Sequence, residues 1–215
     1  VNIKATELYR MPENISFEAA AGIPLAGQTS LQAIRDIGAL TAGEKILING
    51  ASGGVGTLAI QIAKALGGNV TTVSSSKNMA FCQSLGADVA LSYEETDILE
   101  LEEQFNVFYD VFGNYGFQKI RKLLTPKGKY VTTVPKPAIF KEQALNLLRK
   151  QKAKMVVVKS NSQDLKWFFD KISTNQIKPV VDKIFHFDDI HVAQKHIASK
   201  RAKGKVVLQL MKISK

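Results

Sequence analysis

The sequence predicts an α/β fold in which a doubly wound, six-stranded parallel sheet carries helices on both faces. Three observations predict it. Short runs rich in Val and Ile alternate with segments whose apolar residues recur at near-helical spacing. A glycine-rich turn joins the first of these runs to the helical segment that follows it. The length, 215 residues with 45% hydrophobic and 22% charged side chains, suits one sizeable core with short appendages.

Taken in order, residues 12–37 form an entry segment: Ser16 can cap a helix, and Pro24, Gly27 and Gly38 punctuate two helical stretches. Strands are expected at 45–49, 69–74, 89–92, 107–112, 129–134 and 155–159. Between them, Leu58, Ile62, Ala65 and Leu66, then Phe81 and Leu85, then Ile120, Leu123 and Leu124 mark crossover helices. Parallel strands need such crossovers, and right-handed ones cover both faces of the sheet, which is the Rossmann architecture. Residues 164–173 and 188–199 follow as helices, and 205–210 as a late strand. The chain divides on this pattern into linking helices (1–37), a dinucleotide-binding core (38–160) and a C-terminal part (161–215).

Composition narrows the function classes. No apolar run approaches the roughly 20 residues of a membrane span, and no signal peptide is recognisable. Cys82 is the single cysteine, which excludes an intrachain disulfide and a thiolate-rich zinc cluster, so a reducing, cytoplasmic setting is expected. The chain opens on Val1 and its first stretch reads as the middle of something, so a piece of a longer protein is expected. The formal charge of +10 suits a polyanion: nucleic acid, a membrane surface or a multiply phosphorylated cofactor. Lys195, Lys200, Arg201, Lys203 and Lys205 cluster without interleaved aromatics and read as a solvated basic face.

The motif that carries chemistry is Asn49-Gly50-Ala51-Ser52-Gly53-Gly54-Val55-Gly56, directly after a strand and directly before a helix. Positions without side chains let the backbone approach a pyrophosphate, and the helix N-terminus offers free N–H groups and positive dipole. A tight turn with no ligand is the plainer alternative. An acidic residue about 20 positions on would bind the adenosine ribose hydroxyls of NAD. The chain instead has Ser74-Ser75-Ser76-Lys77-Asn78, hydroxyls and a cation suited to a 2′-phosphate, which favours NADP over NAD. Here the plainer reading is a serine-rich turn with a solvated lysine.

These residues, together with Ile60-Gln61-Ile62-Ala63-Lys64, Leu85-Gly86-Ala87-Asp88, Tyr109-Asp110 before Gly113, and Gly204-Lys205-Val206-Val207-Leu208, resemble the medium-chain dehydrogenase/reductase superfamily. The branch they resemble is that of zinc-independent quinone oxidoreductases and alkenal reductases. Pro12 to Ala20 and Pro24 to Thr29 are similar as well, so the resemblance covers nearly the whole chain.

The resemblance implies a pyrophosphate site along Ser52, Gly53, Gly54 and Val55, flanked by Ala51, in place of the usual first glycine, and by Gly56. It implies a 2′-phosphate grip from Ser75, Lys77 and Tyr93 beside Ser74, a nicotinamide side near Gly113, Thr133 and Val134, and Thr29 near the nicotinamide ribose. The cofactor is then NADP(H), and the reaction is hydride transfer to a small-molecule electron acceptor, a quinone or an activated alkene (enal or enone). The resemblance also implies a GroES-like N-terminal catalytic domain, a partly open β-barrel, to which the terminal segments of this chain belong. That domain would supply the substrate-facing groups, so no residue of the chain is assigned as catalytic or as a metal ligand, and NADPH binding with little turnover is expected.

A zinc-dependent alcohol dehydrogenase and a non-enzymatic basic module binding RNA stand as alternatives, although no nucleic-acid or membrane partner is expected. A homodimer is expected through the apolar edge run 155–159, from Met155 to Lys159. Tyr115 and Lys119 reproduce the YxxxK spacing of short-chain dehydrogenases, but Tyr115 follows the fourth strand too closely for that role. His191 and His196 stand five apart, off a shared helix face, and with His186 read as surface or interface residues; Trp167 reads as helix packing.

Overall fold

The fold is described from a computed structural model, over residues 2–210. Ser16 accepts a hydrogen bond from the Ala19 N–H at 3.2 Å and so caps α1 (Phe17–Ala21), as its residue type favours. Pro24 opens α2 (Pro24–Leu31), where its missing N–H costs nothing, and the chain continues as a π turn, Gln32–Ile37.

The Rossmann core follows: β1 (Lys45–Asn49), α3 (Gly56–Ala65), β2 (Asn69–Ser74), α4 (Met79–Ser84), β3 (Val89–Ser92), β4 (Phe105–Asp110), α5 (Phe117–Ile120), β5 (Leu124–Thr132), α6 (Pro137–Ala144) and β6 (Lys152–Met155). All six strands are parallel, in the order β3-β2-β1-β4-β5-β6. Side chains of the central strand alternate between the two faces. Ile46 and Ile48 enter the core beneath α2 and α3 with Leu58, Ile62 and Phe168, while Leu47 enters the opposite core with Phe105, Phe108, Ile120 and Leu123. A strand buried on both sides reads as a continuous apolar run, which is why Ile46, Leu47 and Ile48 carry no polar interruption.

Several boundaries differ from the sequence reading. β4 covers Phe105–Asp110 rather than 107–112, because the Asp110 carboxylate accepts from the Gly113 N–H at 2.8 Å and turns the chain out of the sheet. β5 covers Leu124–Thr132 rather than 129–134, and its early half pairs Leu124 with Phe105 across a register shift. The expected edge strand 155–159 is corrected to Lys152–Met155. Val156 still donates to the Thr132 carbonyl at 2.9 Å, but both backbone groups of Lys159 bind the Gln32 side chain, so the β-branched run Val156, Val157, Val158 leads out of the sheet. α6 lies outside the helices that the sequence pattern predicts.

Beyond the sheet, α7 (Ser162–Ser173) begins two residues earlier than expected, with Asn161 accepting from the Asp164 N–H at 2.8 Å as its cap. β7 (Val181–His186), absent from the sequence reading, pairs in parallel with β8 (Lys205–Gln209) across α8 (Ile190–Ala198), so the helix 188–199 and the strand 205–210 are both shorter than expected. Among the described residues no helix is long and apolar enough to cross a membrane.

Asp164 ties α7 to the π turn: its carboxylate accepts from Gln32, Arg35 and Asn161, each at 2.8 Å. Burial works to raise its pKa, but those hydrogen bonds and the Arg35 charge outweigh it and hold the carboxyl below the usual range. A group with a depressed folded pKa stabilises the fold above its unfolded value, about 3.9, and loses that contribution as pH falls through the folded value. Asp164→Asn is therefore expected to flatten the acid limb of a melting-temperature profile below about pH 4; an unchanged acid limb would show that the carboxylate contributes nothing there.

Candidate functional site

At the C-terminal ends of the strands, β1 and β4 lie side by side while their connections depart in opposite directions, and a crevice opens there. It holds a groove of about 560 Å³ walled by the glycine turn, the ends of β2 and β3, and the segment before β8. The Gly50 and Ala51 N–H groups both donate to the Val73 carbonyl, at 3.1 and 3.2 Å, which pins the turn to β2. Gly56, the first residue of α3, draws the helix onto its strand: a Cβ there would lie 2.3 Å from the Gly50 oxygen. Gly53 faces open space instead, since a Cβ would meet only the Gly50 oxygen, at 3.7 Å. Val55 at the cap of α3 supplies no side-chain acceptor, so the helix N-terminus keeps its anion-binding character. The open cradle at Gly53 and the uncapped terminus both fit a pyrophosphate.

The structure brings Ser74, Ser75, Lys77 and Tyr93 to the same groove as Ser52 and Gly53. The hook that does so is the Tyr93 N–H donating to the Ser74 carbonyl at 3.1 Å, which sets the end of β3 beside that of β2. Ser74 and Ser75 are buried, whereas Lys77 and Tyr93 are exposed and free to reach a ligand. Asn78 is an unforeseen member of the wall. Its Nδ2 donates to Ser52 Oγ at 3.1 Å, while its Oδ1 is buried without a partner.

Gly113, Thr133 and Val134 converge at the ends of β4 and β5. Gly113 has φ +76°, and a Cβ there would fall 2.4 Å from Val134 Cγ2, so only glycine fits against that side chain. Thr133 Oγ1 donates to the Val111 carbonyl at 3.0 Å, and the Val134 N–H donates to Thr132 Oγ1 at 3.2 Å. The same turn sends Phe112 and Asn114 into the groove. Behind it, Asp110 is fully buried and accepts from Asn49, Gly113, Tyr115 and Tyr130. Thr29 is placed on α2 with its hydroxyl donating to the Leu25 carbonyl at 2.7 Å, outside the groove lining; its neighbour Ser30 reaches the Val55 carbonyl at 3.0 Å.

Lys195, Lys200 and Arg201 of the C-terminal basic cluster are exposed, as the reading of a solvated face expects, but part of the cluster also borders the groove. The Gly204 N–H donates to the Ser52 carbonyl at 3.1 Å, which lays the segment before β8 across the glycine turn. Lys200 and Arg201 thereby line the groove, and Lys205 lines an adjoining recess of about 350 Å³ with Gly54 and Val55. The sequence signal was the cluster itself, but only the pairing of β7 with β8 shows where it points. His196 Nε2 lies 2.5 Å from Asp182 Oδ2 and His186 Nδ1 2.9 Å from Asp188 Oδ2, contacts local to β7 and α8. Among the described residues no group of three or more His, Cys, Asp or Glu side chains is gathered. Tyr115 packs edge-on against Phe108, away from the groove lining, and burial raises its phenol pKa. Trp167 packs edge-on against Phe168.

A family model described as zinc-binding dehydrogenase matches residues 85–208. The chain is 34% identical to the 2-methylene-furan-3-one reductase of Solanum lycopersicum and 33% identical to the chloroplastic NADPH-dependent alkenal/one oxidoreductase of Arabidopsis thaliana; each match covers 92% of this chain and 48% of the relative. Among solved structures, the quinone oxidoreductase of Coxiella burnetii matches with a TM-score of 0.85 and 29% identity, over 94% of this chain and 64% of that one. The chain thus spans about half the length of the two plant relatives.

Proposed function

Because the chain belongs to the zinc-binding dehydrogenase family, within the medium-chain dehydrogenase/reductase superfamily, we propose that it is the cofactor-binding part of an oxidoreductase that uses NADPH and delivers hydride to a quinone or an activated alkene such as an enal or enone. One observation carries this reading: the glycine turn and the wall of Ser75, Lys77 and Tyr93 share one groove. The names of the two plant relatives, a furanone reductase and an NADPH-dependent alkenal/one oxidoreductase, support the acceptor class. We place the enzyme in the zinc-independent branch, which its motifs resemble.

In this reading the turn at Ser52, Gly53, Gly54 and Val55 and the N-terminus of α3 hold the pyrophosphate. Ser75, Lys77 and Tyr93 hold the 2′-phosphate, and Lys200 and Arg201 supply positive charge from the opposite wall. Gly113, Thr133 and Val134 bound the nicotinamide end, with Phe112 excluding water. Bound there, the dihydronicotinamide ring would supply the hydride. The chain's own contribution is orientation and electrostatics, with no proton transfer assigned to any of its side chains.

Lys77→Ala tests the phosphate site. Calorimetric titration is expected to show NADPH weakened about tenfold, as for loss of one charge-assisted contact to phosphate, and NADH little changed. Equal losses for both dinucleotides would remove the 2′-phosphate assignment.

A further inference from the structure

The wall that faces a 2′-phosphate contains an anion. Glu94 directly follows Tyr93 at the end of β3, and its side chain lines the groove with Ser75, Lys77 and Tyr93. Its position is anchored, because Ser76 donates to Glu94 Oε2 twice, from the backbone N–H at 3.0 Å and from Oγ at 2.5 Å. Ser92 completes the arrangement: its Oγ lies 2.8 Å from Ser76 Oγ and accepts from the Glu94 N–H at 3.1 Å. The hydrogen bonds from Ser76, helped by the Lys77 charge, hold the carboxyl below its usual pKa range, so it is ionised at neutral pH.

Two consequences follow. Both donors of Ser76, the residue between Ser75 and Lys77, are engaged by the Glu94 carboxylate. The charge of Lys77 is also opposed by a carboxylate on the same wall, and a phosphomonoester carrying about −1.5 to −2 charges feels both. In dinucleotide folds the acid that reads the ribose hydroxyls comes from the end of the second strand. Here that strand ends in serines and a lysine, and the acid arrives from the third strand instead.

We propose that Glu94 is a specificity-determining residue that opposes the 2′-phosphate and accepts from the ribose hydroxyls, so that the site takes NADH as well as NADPH with only a small preference. The inference rests on the NADPH reading of the groove.

The test is titration of the wild-type chain and Glu94→Gln with NADPH and NADH, and with 2′,5′-ADP and 5′-AMP, which probe the adenosine end alone. Gln keeps an acceptor for both Ser76 donors and removes the charge. NADPH and 2′,5′-ADP are expected to bind about three- to tenfold tighter to the variant, a gain that shrinks at high salt, while NADH and 5′-AMP bind no better than before. Glu94→Ala, which also frees Ser76, is expected to raise the preference for the phosphorylated ligands at least as much. A wild-type chain that binds NADPH and 2′,5′-ADP, with ligand ratios in Glu94→Gln altered by less than about twofold, would overturn this inference and leave the cofactor reading intact. A wild-type chain that binds neither phosphorylated ligand would overturn both.

Discussion

Asp110→Ala is expected to destabilise the chain by about 3–5 kcal/mol. The carboxylate is fully buried and accepts from four donors: Asn49 Nδ2 at 2.7 Å, the Gly113 N–H at 2.8 Å, the Tyr130 hydroxyl at 3.0 Å and the Tyr115 N–H at 3.1 Å. Two are backbone groups with no other acceptor, so they cannot be satisfied elsewhere without moving the chain, whereas Asn49 also reaches Asn114 Oδ1 and the Tyr130 hydroxyl also lies 2.8 Å from the Tyr115 carbonyl. Each hydrogen bond to a charged group contributes about 1.5–3 kcal/mol, and the donors left behind add their own desolvation cost. The sum is cut by relaxation and by water entering the vacated space, which sets the range above. Asp110→Asn keeps one acceptor and is expected to cost about half as much. Urea unfolding measures both, and a loss below about 1 kcal/mol in Asp110→Ala would show that the network is not cooperative. Dinucleotide affinity is expected to fall with stability, because Asn49 also donates to Asn114 Oδ1, at 2.6 Å, in the groove wall.

Gly56→Ala is expected to cost about 2–4 kcal/mol and to abolish dinucleotide binding. In an unconstrained helix the same change would gain about 0.5–1 kcal/mol, so the sign is set by packing. The added Cβ would stand 2.3 Å from the Gly50 oxygen and 2.6 Å from both Ala51 Cα and its carbonyl carbon. All three are backbone atoms of the glycine turn, which the Val73 carbonyl holds to β2, so the clash is relieved only by moving α3 off β1 or by opening the turn. Gly53→Ala is the control, since its Cβ meets nothing closer than 3.7 Å. Its melting temperature is expected to stay near that of the wild type while binding falls, because the methyl group projects toward the space a pyrophosphate would use. Retention of dinucleotide affinity in Gly53→Ala would place the ligand elsewhere.

The parallel sheet was legible in the sequence because its central strands are buried on both faces and cannot carry polar residues; Ile46, Leu47 and Ile48 announce β1 in any context. The glycine turn was legible for a similar reason, as Gly56 answers a contact with the turn's own backbone. Strand ends were not, because side-chain hydrogen bonds terminate them, a local one after β4 and distant ones after β6. The run from Met155 to Val158 has the composition of a strand, yet Gln32, far away in sequence, takes the backbone of Lys159. β7 carries no clear strand signature, because its side chains are only partly buried or exposed and follow no clean alternation.

The candidate site divides the same way. Residues grouped in sequence, Ser52 with Gly53 and Ser75 with Lys77, were found by pattern, since one turn positions each group and local geometry needs no partner. Asn78, Glu94, Lys200 and Arg201 were not, since each enters the groove through the meeting of elements that only the folded chain brings together. By itself the sequence determined the α/β class, the place of the glycine turn and the lysine carried by the serine run after the second strand, consequences of periodicity and short-range sterics. The tertiary structure decided which charges share the groove, because Coulomb interactions and hydrogen bonds depend on distance in space and are blind to separation along the chain.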